Sequence, residues 1–160
     1  MWFMNTMKKI INALTTLIIV IGGIFLLLYL IGIKPYVVLS GSMEPTMKTG
    51  SLCFINKNIK YNSIKENDII AFKLNNGVLV THRVVKKASN GFETKGDNNN
   101  NIDGVVTTQN NYVGKNVFWI PYLGYIFKAF QTTTGKIIYL TMIIVLFVIG
   151  LLFGDKSEKK

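Results

Sequence analysis

From Ile10 to Ile33 the chain reads IINALTTLIIVIGGIFLLLYLIGI, 24 residues without a charge. No other feature constrains the fold as much, because a run this long exceeds the ~20 residues that a helix needs to cross a bilayer's hydrocarbon core. Lys8 and Lys9 stand just before it, as they would before a cleavable signal sequence. Such a signal has an apolar core of only about 7–15 residues, followed by a small-x-small site. Here the run continues into Lys34-Pro35-Tyr36 with no such site, so it is expected to stay attached as an anchor.

A second charge-free run, Ile137 to Phe153, has 17 residues, at the short end for a span. Two spans would put both termini on one side, where Lys8, Lys9, Lys156, Lys159 and Lys160 match a cytoplasmic face. The expected organisation is a tail at 1–9, a transmembrane helix at 10–33, an extracytoplasmic domain at 34–136, a second transmembrane helix at 137–153 and a tail at 154–160. Richness in Lys, Asn and Ile favours a prokaryotic plasma membrane over the endoplasmic reticulum.

The net charge of +10 raises nucleic acid as a partner. The lysines are scattered singly or in pairs, with no dense basic stripe, and attraction to anionic headgroups gives the charge an equal use. The lipid bilayer is the expected partner, not nucleic acid. One cysteine and one histidine cannot assemble a zinc site, so no metal or other cofactor is expected. Cys53 reads as a small strand residue and not as a nucleophile.

Between the spans the chain reads as mainly β. Ser51–Ile55, Asp68–Leu74 and Gly77–Val85 are short β-branched or aromatic runs. Asn75-Asn76-Gly77 and Ser89-Asn90-Gly91 are turn signals, the first a hairpin candidate. Phe118 to Phe127 is unusually aromatic, and reads either as an interfacial segment or as a core strand ended by Pro121.

Chemistry centres on Ser40-Gly41-Ser42-Met43-Glu44-Pro45-Thr46, where an apolar run stops at a compact turn. Such a turn can present a hydroxyl together with free backbone N–H groups, as acyl transfer requires. A serine nucleophile needs a base, and His82 is the one histidine; imidazole suits proton transfer near neutral pH. A carboxylate would orient the ring, and Asp68, Asp97, Asp103, Glu44, Glu66 and Glu93 are all candidates by residue type.

These blocks resemble those of the type I signal peptidases. Ser40 to Thr46 looks like that family's nucleophile motif, and Val80-Thr81-His82-Arg83-Val84-Val85 is similar to the block that supplies the base. Histidine where bacterial housekeeping members carry lysine marks the endoplasmic-reticulum type, found also in archaea and some Gram-positive bacteria. Lys95-Gly96-Asp97-Asn98-Asn99 with trailing Asp103 resembles a third block. The resemblance implies a mainly β signal-peptidase-like catalytic domain anchored by an N-terminal and a C-terminal transmembrane helix. It implies Ser42 as nucleophile, His82 as base, Asp103 as its partner and Asp97 in support, with the Ser40 hydroxyl and Ser42 N–H as oxyanion hole. The residues alone leave Asp103 and Asp97 undivided. Asn67 replaces the family's usual glycine before Asp68, and asparagine tolerates the positive φ that glycine would supply.

The function so implied is a serine endopeptidase that removes signal peptides from exported preproteins, with accessory subunits unspecified. An inactive, membrane-anchored peptide-binding module of the same fold is the alternative. A self-cleaving regulator with a serine–lysine dyad would need lysine at position 82.

Overall fold

The computed structural model describes residues 2–153; the 154–160 tail, with its three lysines, lies outside the described residues. The chain divides into a β unit, Leu28–Lys128, and a helical unit made by the chain on either side of it.

Helix α1 spans Trp2–Leu30. Among the described residues it is the one helix long and apolar enough to cross a membrane. It begins before the apolar run and stops short of its end. Gly32 adopts φ 78° and returns its N–H to Tyr29 O at 3.1 Å, the left-handed C-terminal cap that glycine favours. A Cβ there would collide with Asn58, whose amide caps the Ile31 carbonyl at 3.0 Å. Ile33, expected at the end of the span, instead opens strand β1 (Ile33–Val37), because apolar character alone does not distinguish helix from buried strand.

Strands β2 (Leu52–Asn56), β3 (Ile69–Lys73), β4 (Leu79–Ala88), β5 (Gly91–Lys95) and β6 (Tyr112–Ile120) follow. They form one sheet in the order β1-β2-β6-β3-β4-β5, every neighbouring pair antiparallel. Strand β3 is buried on both faces. Ile69 and Ala71 join Met43, Met47, Cys53 and Ile55 in one core, while Ile70 and Phe72 join Ile64, Val84 and Phe92 in another. Alternation of side chains across a strand produces this division, and each large side chain so buried contributes about 1.5–3 kcal/mol.

The turns follow local chemistry. Leu74 N–H bonds Val78 O across Asn75-Asn76-Gly77, with Gly77 at φ 81°. Asn67 takes φ 71°, the conformation for which asparagine is the best substitute for glycine. Pro121 ends β6, and the aromatic segment continues as a short helix, α2 (Leu123–Gln131). Its first half is a strand, with Phe118 stacked on Phe54 at 4.2 Å, and its second half leaves Tyr125 and Ile126 exposed.

Thr132 separates α2 from α3 (Thr133–Phe153) by accepting the Gly135 N–H on its hydroxyl at 3.0 Å, an N-cap. The second apolar helix therefore starts at Thr133, ahead of the expected Ile137. Its described apolar stretch, Thr133–Val145, is shorter than a full crossing, so the multi-pass arrangement does not follow from the described residues.

Candidate active site

Strand β1 leads into the turn that carries Ser42. Val38 pairs with Ser51, Glu44 N–H bonds Gly41 O at 3.0 Å, and Met47 N–H bonds Met43 O at 2.9 Å. Met43 and Met47 are buried beneath the turn, and the Glu44 carboxylate ties its far end through the N–H and hydroxyl of Thr49. Those two bonds hold the Glu44 carboxyl below its ordinary pKa.

On β4, His82 lies opposite Ile70 and is 7% exposed, its ring edge-on to Phe72. Its Nε2 is 3.0 Å from Ser42 Oγ. Its Nδ1 is 2.9 and 2.8 Å from the two oxygens of Asp103. A carboxylate on Nδ1 favours the tautomer with its proton there, leaving Nε2 free to accept from the serine hydroxyl.

Asp103 is held in turn. Its N–H bonds Thr94 O at 2.8 Å, and the Thr94 hydroxyl donates to its Oδ2 at 2.6 Å. Asp97 points elsewhere: Arg83 Nε and one terminal nitrogen grip its two oxygens at 2.8 and 2.7 Å. The Arg83 bond pushes the Asp97 carboxyl below the usual carboxylate range, and the pairing raises the guanidinium. The remaining carboxylates have other neighbours. Asp68 meets Lys115 at 2.6 Å, Glu66 accepts from Lys87 N–H at 3.4 Å, and Glu93 lies opposite Lys86 in the sheet.

Ser40 Oγ lies 3.3 Å from Ser42 Oγ at the exposed mouth of the site. Cys53 is buried, donates to Tyr36 O at 3.2 Å, and burial pushes its thiol up to about 11, which leaves very little thiolate at neutral pH. Among the described residues no group of three or more His, Cys, Asp or Glu converges as a metal site.

Three contributors were given no role by the sequence reading. Thr94 opens the block that ends in Asp103 and follows Phe92 on the inward face of β5. Asn98 N–H bonds Ser42 O at 2.9 Å, and Gly96 lies so close that a Cβ would stand 2.5 Å from that oxygen. Beside Ser42 and His82 opens a groove of about 620 Å³, floored by Met43, Met47 and Cys53 and walled by β1 and the start of β4.

The model of the family "Signal peptidase, peptidase S26" matches residues 8–116, which include the nucleophile turn, His82, Thr94 and Asp103. The chain belongs to this signal peptidase family. Among curated proteins, it is similar to Signal peptidase I W of Bacillus subtilis (strain 168), 38% identical over 78 residues, covering 46% of this chain and 41% of the relative. It is also similar to Signal peptidase complex catalytic subunit SEC11 of Colletotrichum graminicola, 35% identical over 103 residues, covering 56% of this chain and 59% of the relative. The Homo sapiens Signal peptidase complex catalytic subunit SEC11C is 38% identical over 101 residues, covering 55% and 52%. These matches span about half the length of the signal peptidases concerned.

Proposed function

We propose that this chain is a serine endopeptidase that cleaves signal peptides from exported preproteins. The observation that carries the reading is the Ser42–His82–Asp103 chain of contacts, closed at 3.0 and 2.8 Å, within a signal peptidase family member. Ser42 attacks the carbonyl ahead of the scissile bond as His82 takes its proton. Asp103 fixes the ring and stabilises the imidazolium that forms. The Ser42 N–H and the Ser40 hydroxyl stabilise the oxyanion, where one donor is worth about 3–4 kcal/mol. His82 then protonates the leaving amine, and water, activated by the same base, releases the acyl group from Ser42. No step calls on a cofactor.

The groove is the substrate site in this reading. A signal peptide lies in it as an extended strand, with backbone bonds supplying affinity and alternate side chains entering pockets. The family resemblance implies that those side chains are small, and they would meet the floor of Met43, Met47 and Cys53. Asp97, clamped by Arg83, supports the loop and does not orient His82.

The membrane arrangement belongs to the same proposal. Helix α1 is the anchor, α3 a second one, and the β unit lies on the outer side of a prokaryotic plasma membrane. Cysteines placed at Lys60 and at Lys8 test this: only the first should react with an impermeant thiol reagent in intact cells, and the reverse would refute it. Accessory subunits enter because two relatives are named as catalytic subunits of a complex; activity of the purified chain alone would show that none is needed.

Cleavage of a signal-peptide-bearing preprotein by the membrane-embedded chain, beside Ser42→Ala and His82→Ala, tests the activity. Cleavage by the parent alone is expected. Cleavage that survives Ser42→Ala would overturn the assignment of the nucleophile.

A further inference from the structure

The groove has two rails, and their hydrogen-bonding groups can be read from the sheet. Four antiparallel pairings separate β1 from β4, so the two strands run in the same direction, both towards the Ser42–His82 end. In an antiparallel ladder, a residue's N–H and C=O face the same side, and the side alternates along the strand.

On β1, Gly32 O accepts from Lys57 N–H at 3.0 Å, and Val38 N–H donates to Ser51 O at 2.9 Å, with unbroken register between them. Residues 34 and 36 therefore face β2, while 33, 35 and 37 face the open edge. On β4, Val78 O accepts from Leu74 N–H, and Val84 exchanges bonds with Asn67 and Asp68. Val80 and His82 therefore face β3, while Leu79 and Thr81 face outward, before β5 takes up the edge at Arg83.

The two rails are unequal. Leu79 and Thr81 each offer a donor and an acceptor, and so does Val37. Pro35 sits at an outward position and has no N–H to offer. It disturbs nothing in the β1–β2 ladder, because the missing donor is on the open side. The groove's lining runs back along β1 only to Tyr36, and along β4 only to Val78, where the hairpin turns. Pro35 stands just beyond that limit.

We propose that Pro35 is the stop for the substrate strand: pairing between a signal peptide and β1 ends there, which confines backbone recognition to the few residues ahead of the scissile bond. The inference rests on the groove being the substrate site. The β4 rail from Val78 to His82 covers four steps of about 3.3 Å, matching four or five extended residues. Everything upstream in the signal peptide is left unpaired and selects nothing through its backbone. Proline on an edge strand ends pairing in just this manner elsewhere.

The test uses the membrane-embedded full chain and peptides that share one cleavage site, extended upstream from three to nine residues. KM is read from cleavage, and Kd from labelled peptides bound to Ser42→Ala, so that binding is measured whether or not cleavage occurs. With Pro35 in place, KM in the parent and Kd in Ser42→Ala should both fall with length and level off at about five residues. Pro35→Ala restores an outward donor, and its constants should go on falling, by about 3- to 10-fold for the longest peptides. Val37→Pro moves the stop towards Ser42, leaves the β1–β2 bonds intact, and should bring the plateau about two residues earlier. It decides the matter alone if Pro35→Ala fails to fold. No plateau in the parent, or the same plateau in the parent and both folded variants, would overturn the proposal. Absence of Ser42-dependent cleavage, with the length pattern intact in Kd, would instead overturn the peptidase reading.

Discussion

The Asn98 N–H donates to the Ser42 carbonyl at 2.9 Å. The loop that presents Asp103 to His82 therefore also grips the peptide of the residue His82 contacts. One segment, 96–103, registers both sides of the site, so a disturbance in it should be felt at Ser42 and His82 together.

Gly96→Ala tests that coupling. Its Cβ would stand 2.5 Å from Ser42 O, closer than real contacts allow, and backbone must yield. A displacement of about 1 Å at a reacting group can cost roughly 10²-fold. We expect kcat to fall by about that factor, with circular dichroism unchanged. An active Gly96→Ala enzyme would show that the loop does not position Ser42.

Asp103→Asn and Asp97→Asn should separate the two aspartates. The first loses the carboxylate on Nδ1 and should lower kcat by roughly 10³- to 10⁴-fold, as loss of an orienting aspartate does in a serine triad. The second leaves His82 and its partner in place and should cost far less, about tenfold. Similar small losses from both would leave a serine–histidine dyad without an orienting carboxylate.

The Arg83–Asp97 pair predicts a pH dependence of stability. The Asp97 carboxyl is lowered in the folded chain by its bonds to Arg83. A depressed carboxyl stabilises the fold fully above its unfolded value and loses that contribution as pH falls through the folded one. The pair is partly exposed, so its contribution is on the order of 1 kcal/mol. Arg83→Gln should melt several degrees lower than the parent at neutral pH, and the gap should close as pH falls below the ordinary carboxylate range. A gap constant down to the acid limit would mean that packing, not charge, sets it.

Cys53 should be silent in the native enzyme. Burial raises its thiol to about 11 and leaves it 1% exposed, so an alkylating reagent at pH 8 should label it only after unfolding. Counting labelled thiols by mass before and after denaturation checks this. Rapid labelling of the folded protein would place the thiol nearer solvent than the groove floor.

Much of the site was legible because it is made of side chains. Ser42 and His82 are of the residue types that acyl transfer uses, Asp103 was singled out only by the resemblance to signal peptidases, and the three meet within hydrogen-bonding distance. Asn67 was legible for a similar reason, since its residue type suits the left-handed turn it occupies. What escaped was carried by backbone or by context. The Asn98 bond uses a main-chain N–H that every residue but proline possesses, and the Gly96 contact depends on a neighbour 54 positions away. Strand β1 was not anticipated, because Ile33 at its start is as apolar as the helix before it and only Gly32 marks the boundary. Helix α2 was hidden by its aromatic side chains, which suit strands as well as helices.

If the signal peptide lies in the groove as proposed, the two open edges also decide which fragment leaves first. β1 and β4 run together towards Ser42, so what they hold would be the half of the substrate upstream of the cut. Once the peptide bond is broken, the mature protein would be attached to nothing in the groove and would depart with its new amine. The leader would still be acylated to Ser42 and, after hydrolysis, still be stitched to both strands. Turnover would then wait on the leader peeling away, and the spent leader would compete with the next preprotein for the same groove.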